Sequence, residues 1–122
     1  MNNFKNLELG KKGEELAARY LVQKGYKIRH KNWRYRHEEL DIVAFYDKQL
    51  IVVEVKSRTS DFYEHPHDAV TLKKQKYIID ATEAYIQKYD IHEETRFDVI
   101  SVVFSKQSYT IDHIEDAFTP QF

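Results

Sequence analysis

The stretch LIVVEVKSR, residues 50–58, decides how the chain is read. Leu50, Ile51, Val52 and Val53 form a continuous apolar and largely β-branched run, the pattern of a strand buried on both faces. Beyond it, Glu54, Lys56 and Arg58 alternate with Val55 and Ser57. Side chains two apart share a strand face, so Glu54 and Lys56 point one way while Val53 and Val55 point the other. An acid and a base therefore leave the end of a central strand on one side.

Just before this stretch, ELDIVAFY (39–46) reads as a second strand, with YDKQ as the hairpin loop between the two. Pairing about the middle of that loop sets Asp41 opposite Glu54 or Val55. Opposed like charges destabilise a strand pair, so two neighbouring carboxylates call for a cation between them. Mg²⁺, or Mn²⁺ in its place, suits such a pair, because hard cations take oxygen ligands and Mg²⁺ keeps waters and phosphate in its remaining positions. Asp41 and Glu54 would be the carboxylate ligands and the Val55 carbonyl a third. Lys56 would then stand where it can stabilise charge developing on an attacked phosphate. The plainer reading is a solvated Glu54–Lys56 ion pair of small energetic value, with Asp41 an unrelated turn acid.

The rest of the chain supplies a frame for this pair. Residues 7–24 read as a helix with Leu16, Ala17, Tyr20 and Leu21 at helical spacing and Gly25 as its stop. YKIRHKNWRY (26–35) alternates as a strand. Residues 65–90 read as a long helix opening after Pro66, with Val70, Tyr77, Ile78, Ala81, Ala84 and Tyr85 on one stripe. RFDVISVVF (96–104) and SYTIDHI (108–114) follow as strands. The order predicts an α/β fold, a mixed central sheet flanked by helices. Two charges break the helical patterns. At about 100° per residue, Glu14 falls between Ala18 and Leu21 on the first apolar stripe, and Lys74 falls within the second. Acids near a helix N-terminus have a capping use, but off-pattern charges are also where sites are expected.

Composition narrows the classes. A chain of 122 residues, 42% hydrophobic, is expected to form one domain spanning 1–122 with its own core. There is no Cys, which excludes disulfides, thiolate metal sites and cysteine nucleophiles. No apolar run reaches membrane-spanning length and the N-terminus lacks an apolar signal core, so a cytoplasmic protein with no membrane partner is expected. The net charge of −1 hides an asymmetry: residues 1–36 carry ten Lys or Arg against three Glu. KIRHKNWRYR (27–36) interleaves cations with Trp33 and Tyr35, which suits phosphate contact with base stacking, or a charged edge strand with its aromatics turned into the core.

Taken in order, the helix with Glu14, the strand with Asp41 and the strand with Glu54-Val55-Lys56 resemble the PD-(D/E)XK nuclease superfamily. More narrowly the chain resembles the YraN-like family of predicted endonucleases, similar in fold to Holliday junction resolvases. The stretches that carry this are GKKGEELAARYLVQKGYKI (10–28), NWRYR (32–36), ELDIVA (39–44), IVVEVKSR (51–58), AVTLKKQK (69–76), RFDVISV (96–102) and IEDAF (114–118). The resemblance implies a restriction-endonuclease-like αβββαβ core and metal-dependent hydrolysis of nucleic acid, DNA foremost, in repair or recombination. It implies Asp41 and Glu54 as ligands, Lys56 as the catalytic lysine and Glu14 as a helix acid assisting a second metal or water. Arg34, Arg36, Arg58, Lys74 and Gln75 are expected on the nucleic-acid side. Junction cleavage would suit a homodimer presenting two sites. One departure stands out: Glu38-Glu39 occupies the place where the family has Gly-Glu, and a missing Gly matters where positive φ is needed. The rival class is a non-catalytic nucleic-acid-binding module keeping the same fold, and a third is an interaction scaffold in which the cluster is an ion-pair network.

Other constellations carry less. His65 and His67, with Glu64 or Asp68, read as a proline-marked loop before a metal pair. Asp98 reads as a polar residue at a strand start satisfied by Arg96. No Gly-rich phosphate loop or serine elbow occurs.

Overall fold

In the computed structural model, which describes residues 3–60 and 70–120, five strands form one sheet in sequence order. The elements are α1 (Asn3–Gln23), β1 (Lys27–Tyr35), β2 (Glu38–Tyr46), β3 (Gln49–Thr59), α2 (Leu72–Tyr89), β4 (Glu94–Phe104) and β5 (Tyr109–Phe118). All neighbours are antiparallel except β3 and β4. A parallel pair needs a crossover, and the one here includes α2. The result is the expected mixed α/β fold, an αβββαβ core extended by β5.

The β2–β3 hairpin closes through Asp47 and Lys48, both left-handed at φ 50 and 63°, so that Tyr46 pairs Gln49. Two consecutive left-handed residues make the type I′ turn whose twist matches its strands. β3 lies between β2 and β4 and is buried on both faces, as its apolar run requires. Ile51 and Val53 join Ile42, Ala44, Ile100 and Val102 under Leu16, Ala17 and Leu21 of α1. Leu50 and Val52 join Val43, Phe97 and Val99 under Ile78, Ala81 and Tyr85 of α2. The two helices thus cover opposite faces of the sheet.

Helix α1 ends as predicted at Gly25, φ 97°, with Tyr26 N–H reaching Leu21 O at 2.9 Å and Gly25 N–H reaching Val22 O at 3.0 Å. This is the double bond of a Schellman stop. Its start lies earlier than residue 7, because the Asn3–Gln23 segment contains no breaker strong enough to delay it. Gly13 lets α1 settle onto β3: a Cβ there would overlap the Ser57 hydroxyl.

The second helix corrects the sequence reading. It begins at Leu72 rather than after Pro66, with extended Thr71 as N-cap accepting from Lys74 N–H. A capping hydroxyl that satisfies an otherwise unpaired N–H defines the start better than a distant proline. Val70 is buried but precedes the helix, and residues 61–69, including His65 and His67, lie outside the described residues. The buried stripe is Ile78, Ala81, Thr82 and Tyr85; Tyr77, expected inward, is 41% exposed. Thr82 is tolerated inside because its hydroxyl donates to Ile78 O at 2.7 Å. β5 runs on through the IEDAF stretch, pinned where Asp116 N–H donates to Asp98. Among the described residues no helix is long and apolar enough to cross a membrane.

Candidate active site

The site begins where the sheet forks. Pairing of β2 with β3 stops at Ile42↔Val53, whereas β2 stays paired to β1 out to Tyr35↔Glu38 and β3 stays paired to β4 out to Thr59↔Phe104. The next rung would set Asp41 against Glu54, one of the two partners that the sequence allows. Instead of a backbone partner, Val55 N–H donates to Asp41 Oδ2 at 2.8 Å. A residue's N–H and C=O leave a strand on the same edge, so the Val55 carbonyl also faces the fork.

Glu54 is 7% exposed. Burial, a hydrogen bond to the Glu54 carboxyl and the Glu54 charge hold the Asp41 carboxyl well above the usual carboxylate range, against the Val55 N–H and the Lys74 charge. A carboxyl so placed holds its proton to a higher pH than a free one does. Lys74 Nζ comes over from α2, 2.9 Å from Glu38 Oε2 and 3.7 Å from Glu54 Oε2. Its ammonium is held protonated above its ordinary value: burial opposes this, but the Glu38 bond and the Glu54, Glu38 and Asp41 charges prevail. Lys56 is half-buried on the same strand face as Glu54 and makes no ion pair among the described residues.

Glu14 approaches from α1, on the other face, and reaches this rung because the sheet is open there. Its Oε1 accepts from Asn32 Nδ2 at 2.8 Å. Half-burial raises the Glu14 carboxyl, the Asn32 bond opposes that, and the nearby Asp41 and Glu39 charges raise it further. Asn32 was not singled out by the sequence. It is left-handed at φ 53° and lies between the rungs Lys31↔Ile42 and Trp33↔Leu40, across from Asp41. Leu40 and Ile42, two apart, belong to opposite core clusters, so alternation breaks at Asp41. Asn tolerates this conformation, and irregular strand residues re-aim neighbouring side chains.

Of the residues expected on the nucleic-acid side, Arg58 shares the Glu54–Lys56 face but is 9% exposed, and Gln75 donates to Val70 O at 3.2 Å. Arg34 pairs with Glu39 at 3.1 Å, and Arg36 sits over the Tyr35 ring at the β1–β2 turn, away from the fork. Trp33 and Tyr35 pack against the α2-side core, and Trp33 Nε1–H donates to the Tyr89 hydroxyl at 3.3 Å, so the core reading of these aromatics holds for Trp33. Arg36, not Glu38, is the left-handed residue of that turn, so replacing Gly by Glu38 demands no positive φ. Asp98 is satisfied by Arg96, as expected, and also by His113.

The donor set suits a hard divalent cation in outline. Among the described residues no three carboxylate or imidazole groups converge on one point. Two carboxylates with an outward carbonyl, the rest left to water and phosphate, is nevertheless a usual Mg²⁺ complement.

The uncharacterised protein family UPF0102 matches residues 13–102, which include Glu14, Asp41, Glu54, Lys56 and Lys74. The chain belongs to this family. UPF0102 proteins of Phocaeicola vulgatus, Parabacteroides distasonis and Bacteroides thetaiotaomicron are 52%, 45% and 46% identical to it. The matches cover 93%, 91% and 93% of this chain and 93%, 92% and 93% of the relatives. The YraN-like motifs read from the sequence thus belong to a UPF0102 chain aligned over nearly its whole length.

Proposed function

We propose that this UPF0102 protein is a metal-dependent nuclease that hydrolyses phosphodiesters in nucleic acid, with DNA the foremost substrate. The observation that carries this is the Asp41–Glu54 pair at the fork, with Val55 and Lys56 beside it. A divalent ion held by Asp41, Glu54 and the Val55 carbonyl would polarise the phosphate and acidify water. Lys56 then places a cation where charge grows on the phosphoryl oxygens, and Glu14, its carboxyl raised by burial, is suited to hold or pass a proton. Hydrolysis makes one phosphorus–oxygen bond to water, breaks the ester bond, and sends the water's proton to the leaving oxygen or to solvent.

The phosphate track is drawn from charge. A groove of about 440 Å³ between α1 and β1 carries two exposed cations, Arg19 and Lys31, against one exposed acid, Glu15, and Lys31 acts on Glu14. A larger groove of about 510 Å³ between the β1–β2 turn and α2 exposes Asp80 and Glu83 against Arg36 and His37, a poorer surface for a polyanion. The backbone of the substrate is therefore assigned to the α1–β1 side.

The second reading, a non-catalytic binding module, draws on the absence of a three-acid cluster among the described residues. Cleavage of single-stranded, duplex, flap and four-way-junction DNA and of RNA, with Mg²⁺ and with Mn²⁺, separates the two. A nuclease loses cleavage in Glu54→Ala and Lys56→Ala, by about 10²-fold or more, while its melting curve and binding in EDTA persist. Salt-sensitive binding without cleavage in the wild type favours the module.

A further inference from the structure

Lys74 is shared unequally between two acids. Its ammonium makes a direct bond to Glu38 at 2.9 Å and stands off from Glu54 at 3.7 Å. The backbone beneath it is fixed, because Lys74 N–H is the donor that Thr71 caps at the start of α2. Glu38 is equally anchored, paired with Tyr35 at the last rung of β1–β2. The ammonium is therefore held between two rigid elements, with its long stem the only part able to swing.

Glu54 is almost fully buried, and its neighbours are the Asp41 carboxyl and this ammonium. A lysine bonded directly to Glu54 would use a carboxylate oxygen and place a positive charge where a dication has to sit. Bonded to Glu38, the same lysine still offsets the charge of the two acids but leaves the Glu54 oxygens open toward the fork. We propose that Glu38 is a positioning residue that tethers Lys74 away from Glu54 and so keeps Glu54 available to a divalent cation. The inference rests on the two-carboxylate metal reading above and adds a role for an acid that the fold alone does not require. Without Glu38, Glu54 is the acceptor that Lys74 already faces, and a swing of less than one carbon–carbon bond length brings it into direct contact.

The test is Mn²⁺ binding to the substrate-free protein, followed through the electron paramagnetic resonance of unbound Mn²⁺, with circular dichroism melts alongside. Glu38→Gln is expected to weaken Mn²⁺ binding by about tenfold, the scale of lost outer-shell support at metal sites. Lys74→Met should bind at least as tightly as wild type, and Glu38→Gln in the Lys74→Met background should cost nothing further. If Glu38 acted only as a distant negative charge, its loss would weaken binding equally in both backgrounds, and that result overturns the tether. Glu38→Ser repeats the comparison should Glu38→Gln fail to fold. Wild type that binds Mn²⁺, loses it in Asp41→Ala and keeps it in Glu38→Gln also overturns the tether while leaving the metal site standing. Wild type that binds no Mn²⁺ at all overturns the metal reading, and the tether with it.

Discussion

Asp41 Oδ2 accepts the Val55 N–H at 2.8 Å across the first rung that β2 and β3 fail to make. The carboxylate fills a gap in the ladder while lying against another carboxyl, so it is anchored by one neighbour and opposed by the next. Asp41→Asn keeps an acceptor for Val55 and removes the opposed charge. Thermal stability at neutral pH should rise, by up to about 1 kcal/mol, while Mn²⁺ binding is lost. A lower melting temperature in Asp41→Asn would mean that the pair carries no strain.

The raised Asp41 carboxyl also fixes how metal binding responds to pH. A ligand must be deprotonated to bind, so a cation entering the fork displaces the proton held there. Mn²⁺ affinity should therefore go on climbing with pH beyond the ordinary carboxylate range, and level off once pH passes the raised Asp41 value. Calorimetry in two buffers of different ionisation enthalpy should register net proton release. Affinity that is flat across this range would show that metal binding does not draw on a raised Asp41 carboxyl.

A second polar cluster, on the α1 side of the sheet, gives the opposite sign. Asp98 is fully buried; burial pushes its carboxyl up, but bonds from His113, Arg96 and the Asp116 N–H outweigh this and leave it below the usual value of 3.8. His113 is 2.7 Å away and also meets the Tyr20 hydroxyl at 3.2 Å, while Arg96 reaches Tyr26 and Glu115. A depressed carboxyl contributes stability that is present above the unfolded value and lost as pH falls through the folded one. The melting temperature should drop steeply below about pH 4, and Asp98→Asn should flatten that slope while costing about 3–5 kcal/mol, as broken buried pairs do. An unchanged acid limb in Asp98→Asn would assign acid unfolding to other carboxyls.

What the sequence made legible follows from which physics it records. The β3 run, the short hairpin and Gly25 are local signals, and counting from them sets Asp41 opposite Glu54 or Val55, both of which it meets. The fork is not local: nothing in ELDIVAFY says that pairing to β3 stops at Ile42, and Asn32 shows its left-handed turn only once Asp41 is across from it. The start of α2 is not legible because Pro66 is a strong signal for a boundary and Thr71 a weak one, yet the capping bond decides. Tyr77 misled because an aromatic at helical spacing fits the inner stripe or its border equally well, and here it lies on the border. Arg34 and Arg36 are exposed cations, and the sequence does not show that Arg34 pairs with Glu39 or that Arg36 lies over the Tyr35 ring.

Gly13 connects the fold to the site. It is buried where α1 crosses β3, and a methyl group there would collide with the Ser57 hydroxyl, on a strand that cannot yield without moving Lys56. Gly13→Ala should therefore lower stability by about 1–3 kcal/mol, the usual cost of overpacking, despite the better helix propensity of Ala. It should also lift the following residue, Glu14, off Asn32, which a lost Asn32–Glu14 coupling in a double-mutant cycle on cleavage or Mn²⁺ binding would register. Gly10, three residues earlier on the same helix, has nothing within 4 Å of where its Cβ would stand. Gly10→Ala should stabilise by about 0.5–1 kcal/mol and leave Glu14 in place. Equal melting shifts of one sign in both variants would show that α1 does not rest on β3 at Gly13.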